Sequence, residues 1–224
     1  AHLSDLHGKE FGSGNSLLLQ VVENAQPDLI VITGDLIDQE SQYDALPALM
    51  DRLTAIAPTY YVTGNHEWWS GEAERICRDI EALGIHVLRG DSVDIFVKDQ
   101  TLTVYGIDDP DGGEDQLPAL SPTAGDGYAI LLAHRPERID EYRQYPFDLV
   151  VSGHAHGGQW RIPGILNGLY APNQGFFPAY AGGCYDVDGL AFVVSRGLSR
   201  ESTRIPRLFN PPELVVLDLV PEGT

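Results

Sequence analysis

Apolar residues follow two alternating rhythms along the first ninety positions. Residues 15–25 carry Leu17, Leu18, Val21, Val22 and Ala25 at helical spacing, with Ser13 or Asn15 placed to cap the helix and Pro27 to stop it. Residues 28–33 (DLIVIT) are a short continuous apolar run, the pattern of a strand covered on both faces. Helical spacing returns over 44–56 and ends before Pro58, and residues 59–63 form the next predicted strand. Ser70 is positioned to cap a helix running to Leu83, which Gly84 closes, and a strand follows at 85–88. Residues 1–4 read as the end of a buried strand. Strand–helix alternation predicts parallel α/β units, in which ligands bind beyond the carboxyl ends of the strands.

After residue 90 the rhythm changes. Residues 92–98 and 101–107 predict a hairpin turning at Asp99 and Gln100, and the Pro-, Gly- and Asp-rich stretch 108–126 predicts a loop. A strand at 128–133 delivers His134, a short helix covers 136–145, and a strand at 147–152 delivers Gly153 and His154. Further strands are predicted at 159–163, 191–195 and 213–220. With helices early and strands late, the simplest architecture is two sheets face to face with helices outside. The 224 residues suit one α/β domain spanning the whole chain.

Composition narrows the function classes. The net charge is -19, with only Lys9 and Lys98 beside twelve arginines. So acidic a surface repels long nucleic acids but leaves room for a small phosphorylated molecule. No segment approaches the ~18 apolar residues of a membrane span. The first residues already lie in a predicted strand and lack an initiator Met, so a leader or membrane anchor upstream is an expectation, and the compartment stays open. Cys77 and Cys184 form no disulfide framework and read as two buried free thiols.

Candidate chemistry lies in five short blocks, each where a predicted strand ends: Asp5-Leu6-His7, Gly34-Asp35-Leu36-Ile37-Asp38, Gly64-Asn65-His66-Glu67, His134, and Gly153-His154-Ala155-His156. Five of the seven histidines fall inside them, while His2 and His86 sit within strands and read as structural. The blocks predict one site at a common sheet edge that holds two metal ions. Asp5 and His7 can reach one ion from the same loop. Gly34 permits the sharp turn that presents Asp35, whose two oxygens can bridge two cations. Asp38 either orients a ligand or caps the next helix. Asn65 offers a neutral oxygen ligand, and His66 beside it would face the substrate. Glu67 reads as a helix-start carboxylate. If extended, His154 and His156 would share one side of the chain.

Together these blocks resemble the calcineurin-like metallophosphoesterase superfamily, whose motif order is Asp-x-His, Gly-Asp-x-x-Asp, Gly-Asn-His-Asp/Glu, His and Gly-His-x-His. The resemblance extends through Gly157-Gly158-Gln159, Asp108-Asp109-Pro110, His134-Arg135-Pro136-Glu137, Ser195-Arg196-Gly197-Leu198 and Pro211-Pro212-Glu213. Those features look like the YkuE-type branch, which includes bacterial phosphodiesterases and UDP-2,3-diacylglucosamine pyrophosphatases. The resemblance implies a four-layer αββα sandwich of two facing mixed β-sheets with flanking helices. It implies that Asp5, His7 and His156 hold one metal, that Asn65, His134 and His154 hold the other, and that Asp35 bridges them. His66 would contact the phosphate and serve the leaving group. A hydroxide bridging the two ions would attack a phosphodiester, phosphomonoester or pyrophosphate bond. Mixed N/O ligands suit manganese, iron, zinc, cobalt or nickel and do not choose among them; manganese is the expected ion.

The expected partner is a small phosphorylated or lipid-linked nucleotide substrate. Trp68 and Trp69 could stack on it or pack the following helix, and Arg135, Arg161 and Arg196 could contact phosphate or form surface ion pairs. The aromatic stretch 170–185 is either a specificity loop or a connection. The competing class is a non-catalytic relative that keeps the fold as a scaffold. Loss of His66 or of a ligand would favour it, and none is missing.

Overall fold

Alternating side chains of short parallel strands set the layers of this protein. The structure, a computed structural model, describes residues 1–97, 100–123, 127–199 and 206–220. Strands β1 (His2–Leu3), β2 (Ile30–Thr33), β3 (Thr59–Val62) and β4 (His86–Val87) form a four-stranded sheet in that order, every neighbour parallel. Crossovers in one consistent hand between sequential neighbours put their helices on one face. There α1 (Ser16–Ala25), α2 (Leu46–Ile56) and α4 (Ala73–Glu81) cluster Leu19, Val22, Met50, Leu53, Ile76 and Ile80 against Ile30, Ile32 and Tyr61. The residues between, Val31, Tyr60 and Val62, turn to the opposite face.

That opposite face meets a six-stranded sheet. It contains β5 (Asp91–Val97), β6 (Gln100–Gly106), β7 (Tyr128–Leu132), β8 (Leu149–Ser152), β11 (Gly183–Val187) and β12 (Leu190–Val194), in the order β11-β12-β8-β7-β6-β5. Strands β6, β7, β8 and β12 run parallel, and β5 and β11 are antiparallel edges. Val104, Ile130, Leu132 and Val151 fill the space between the sheets. On the outer face Leu131, Val150 and Phe192 pack with Phe147 and with Ile139 and Tyr142 of α5 (Ile139–Tyr142). The result is the four-layer α/β sandwich expected, with one difference. The first sheet is not mixed among its strands; its one antiparallel partner among the described residues is an isolated bridge from His2 to Val215.

Other expectations are corrected locally. The helix predicted over 70–83 is two helices, α3 (Asn65–Ser70) and α4, because Gly71 turns left-handed (φ 77) and ends the first. Ser70 still helps at the junction, accepting the Glu72 N–H at 3.1 Å. The strand predicted at 159–163 is reduced to single bridges at Trp160 and Ile162, and Gln159 ahead of them takes a positive φ (60°). The strand predicted at 213–220 is reduced to the Val215 bridge. In α1 the buried stripe is Leu18, Leu19 and Val22, leaving Leu17 and Val21 exposed. Cys77 is buried as expected, but Cys184 is exposed on edge strand β11. Lys98 of the predicted strand and Asp99 of the predicted turn, and residues 124–126 of the predicted loop, lie outside the described residues. Among the described residues no helix is long and apolar enough to cross a membrane.

Candidate metal centre

Parallel strands of both sheets end at the same edge, and each of five of them releases one motif block there. β1 leads into Asp5, β2 into Asp35, β3 into Asn65, β7 into His134 and β8 into His154. The loops are zipped together by backbone hydrogen bonds from the Asp5 N–H to Gly34 O (3.1 Å) and from the His7 N–H to Asp35 O (3.0 Å). The Asp5 carboxylate accepts the His154 N–H at 3.0 Å, which joins the first block to the last. Glycines make the approach possible. A Cβ on Gly64 would lie 2.2 Å from Asp35 Oδ1, and one on Gly153 would overlap Ser4 Oγ.

The backbone at these blocks is unusual. Asp5, His7, Asp35, His154 and His156 all have positive φ, between 48° and 63°. Left-handed non-glycine residues are uncommon and gather at functional sites, where surrounding structure holds them. One consequence corrects an expectation. His154 and His156 are not extended and do not share a side; a tight left-handed turn sends them to two different clusters.

Ligand-type atoms of Asp5, His7, Asp35 and His156 lie within 4.8 Å of one another, and so do those of Asp35, His134 and His154. All six residues are buried, and Asp35 belongs to both sets. Asn65 lies at the start of α3 and is 1% exposed. Among the described residues His7 Nε2 and Asn65 Oδ1 are buried without a hydrogen-bond partner. Orphaned polar atoms this deep are costly unless something else satisfies them. Their nitrogen and oxygen donors fit divalent transition ions.

Hydrogen bonds to the outer atoms fix each ring. His134 Nδ1–H donates to Thr33 O at 2.6 Å, turning Nε2 toward Asp35 Oδ2 at 3.1 Å. Asp38 Oδ1 accepts from His7 Nδ1 and lies 3.1 Å from His66 Nδ1, so one oxygen orients both rings. Against the opposing effect of burial, these imidazoles hold the Asp38 carboxyl well below the usual carboxylate range. Burial disfavours a charged His134, but the Asp35 carboxylate more than offsets it and raises the imidazole to about 10. Burial, with His134 and Arg135 nearby, lowers His154 to about 3 and keeps it neutral, the form a metal needs.

Sequence reasoning missed two features. Glu67 is no ordinary helix-start carboxylate. Fully buried, it accepts the N–H groups of Gly64 (2.8 Å), Asp35 (2.9 Å), Leu36 (2.6 Å) and Ile37 (3.3 Å). Its place in the Gly-Asn-His-Glu block was the available signal. Burial and the neighbouring Asp35 carboxylate push it up to about 7. Asn173 approaches His154 from a distant loop, and no motif marks it.

The other candidates sort by geometry. His66 is partly exposed, with its ring 4.9 Å from that of Trp69, which is 63% exposed. Trp68 instead turns inward, donating to Thr63 Oγ1 and packing beside Arg89. Arg135 is buried beside His154 and bound to Asp109, Asp111 and Asn173. Arg161 and Arg196 lie elsewhere, bonded to Asn167 and Glu213. As expected, His2 is a buried partner of Thr33, and His86 stacks on Tyr60.

A sequence model of the calcineurin-like phosphoesterase family matches residues 1–158. The chain belongs to that family. Metallophosphoesterase YkuE of Bacillus subtilis (strain 168) is 30% identical over 98% of this chain and 76% of its own. Phosphodiesterase YaeI of Escherichia coli (strain K12) is 28% identical over 97% of this chain and 80% of its own. Among solved structures, a dimetal phosphatase of Danio rerio shares the fold, with a TM-score of 0.50 and 12% identity over 88% of this chain and 86% of its own. As a calcineurin-like phosphoesterase, the protein is a metal-dependent hydrolase of phosphoric ester bonds.

Proposed function

We propose that this phosphoesterase cleaves a phosphodiester, phosphomonoester or pyrophosphate bond of a small substrate, using a dinuclear centre. One observation carries the reading: two buried donor sets meet at Asp35. Asp5, His7 and His156 would hold one ion, Asn65, His134 and His154 the other, and Asp35 would bridge them. When bound, two such ions offset phosphate charge and lower the pKa of water toward ~7, supplying a nucleophile near neutrality.

The protein's own groups do the rest. Asp38 faces His66 Nδ1 and stabilises the charged imidazolium, leaving Nε2 to protonate the leaving oxygen. Trp69 shields His66 on one side. Two divalent ions held there would make the site locally positive, so that an anionic substrate would bind despite the net charge of -19.

A second reading concerns the substrate. Trp69 lies beside His66, and Phe176 and Phe177 follow Asn173; all three aromatic rings are exposed. Apolar surface at the rim of a phosphate site favours a lipid-linked nucleotide over a purely polar ester.

The test is a metal count and a substrate panel. Purified protein should hold about two ions per chain and cleave bis-p-nitrophenyl phosphate with added manganese. His66→Ala should lower turnover about 10²–10⁴-fold while metal content stays near two. Metal-replete protein inert toward a panel that includes UDP-2,3-diacylglucosamine would sink the proposal.

A further inference from the structure

The loop after the last motif block returns to the centre. β9 (Tyr170–Ala171) and β10 (Gly175–Phe176) pair antiparallel, and Asn173 sits in their turn with left-handed backbone (φ 58). Its Oδ1 lies 2.9 Å from His154 Nε2, closer than the 3.4 Å of Arg135 Nη1 to the same nitrogen, and accepts Arg135 Nη1–H at 2.9 Å. Arg135 is held in turn by both oxygens of Asp109. On its other edge, His154 Nδ1 lies 3.2 Å from His134 Nε2, facing the space shared with Asp35.

An imidazole can present a lone pair at only one nitrogen when the other carries a proton. Whichever nitrogen meets a strong acceptor keeps its hydrogen, which leaves the opposite nitrogen to bind an ion. Asn173 Oδ1 is such an acceptor. Arg135 fixes which end of the amide faces the ring, because a guanidinium can only donate.

We propose that Asn173 is a positioning residue for the second metal. Its side-chain carbonyl takes the Nε2–H of His154 and leaves Nδ1 for the ion, and the same contact ties the aromatic hairpin to the centre. The inference rests on the dinuclear reading above. It also gives the aromatic stretch 170–177 a role: loading of the second ion sets the position of the hairpin that carries Phe176.

Asn173 also suits its turn, because asparagine tolerates left-handed backbone, so the test must separate the two roles. Asn173→Gly keeps the conformation and removes the acceptor. Asn173→Asp restores an acceptor at the same place. Calorimetric titration of metal-stripped protein with Mn or Co should resolve two sites in the wild type. In Asn173→Gly the second ion should bind about 10–100-fold more weakly, with the first unchanged and the melting temperature of the metal-free protein preserved. Asn173→Asp should return the second ion to near wild-type affinity. In the wild type, hydrogen exchange at Gln174 and Phe177 should slow when the second ion loads, and in Asn173→Gly it should not.

A glycine variant that binds both ions as the wild type does would overturn the proposal, as would an aspartate that fails to restore the second. Wild-type protein that binds fewer than two ions would overturn the dinuclear reading before any substitution is made, and this inference with it.

Discussion

Four backbone N–H groups from two different loops converge on the carboxylate of Glu67. Three belong to residues 35–37 and one to Gly64, so the side chain joins the loop of Asp35 to the loop of Asn65 and His66. Each oxygen takes two donors. Glu67→Gln would replace one oxygen with an NH2 group that cannot accept, leaving two buried N–H groups unpaired. Each orphan costs about 1–3 kcal/mol. The expected outcome is a clear loss of thermal stability together with weaker binding of both ions, because Asp35 serves both clusters. Melting curves and metal titration check this. A variant as stable as the wild type that still holds both ions would show that Glu67 is an ordinary helix-start carboxylate.

At the scale of elements, the ligand types and their order were legible because chemistry limits which side chains can hold a cation. The strands were legible because their apolar runs are short and bounded by Gly and Pro. The break at Gly71 was hidden because a single glycine inside a helical pattern reads equally well as tolerated or terminal. The strand predicted at 159–163 pairs only through single bridges, and nothing local announces that Gln159 takes a positive φ. Most of all, the sequence does not reveal that five of the blocks' residues turn left-handed, which is what sends His154 and His156 apart. Asn173 was illegible because its contact to His154 depends on a loop returning to the site from outside every motif. The glycines between strand and block carry their own prediction. A Cβ on Gly64 would meet Asp35 Oδ1 at 2.2 Å and Asp35 N at 2.6 Å, and backbone cannot step aside as a flexible side chain can. Gly64→Ala should therefore cost about 1–3 kcal/mol and displace the Asp35 carboxylate. Metal content below one ion per chain in the folded variant is the expected result, and two full ions would show that the loops can part without harm.

For the whole molecule, the centre is a concentration of charge in a chain of net charge -19. Without ions, protons take part of their place. Burial alone would lower His134, but Asp35 raises it to about 10 from an ordinary value near 6.5. A cationic group raised in the folded state stabilises fully below its unfolded pKa, and that contribution is lost as pH rises through the folded one. Glu67 acts in the same sense: burial and Asp35 raise it to about 7 from 4.5, so its ionisation weakens the metal-free fold across that interval. The metal-stripped protein should accordingly melt at progressively lower temperature from pH 6.5 to pH 10. The loaded protein should hold its melting temperature over the same range, because ions rather than protons meet the imidazoles. At a hundredfold excess over Kd each ion adds about 2.7 kcal/mol, so chelation at pH 8 should lower the melting temperature by on the order of 10–20 °C. His134→Gln removes the titrating group and should flatten the decline of the stripped protein between pH 8 and pH 10. Melting temperatures with and without chelator at pH 6.5, 8 and 9.5 decide the matter. If stripped and loaded protein share one flat profile, protons and ions do not compete for this site, and the two donor sets that meet at Asp35 do not hold ions.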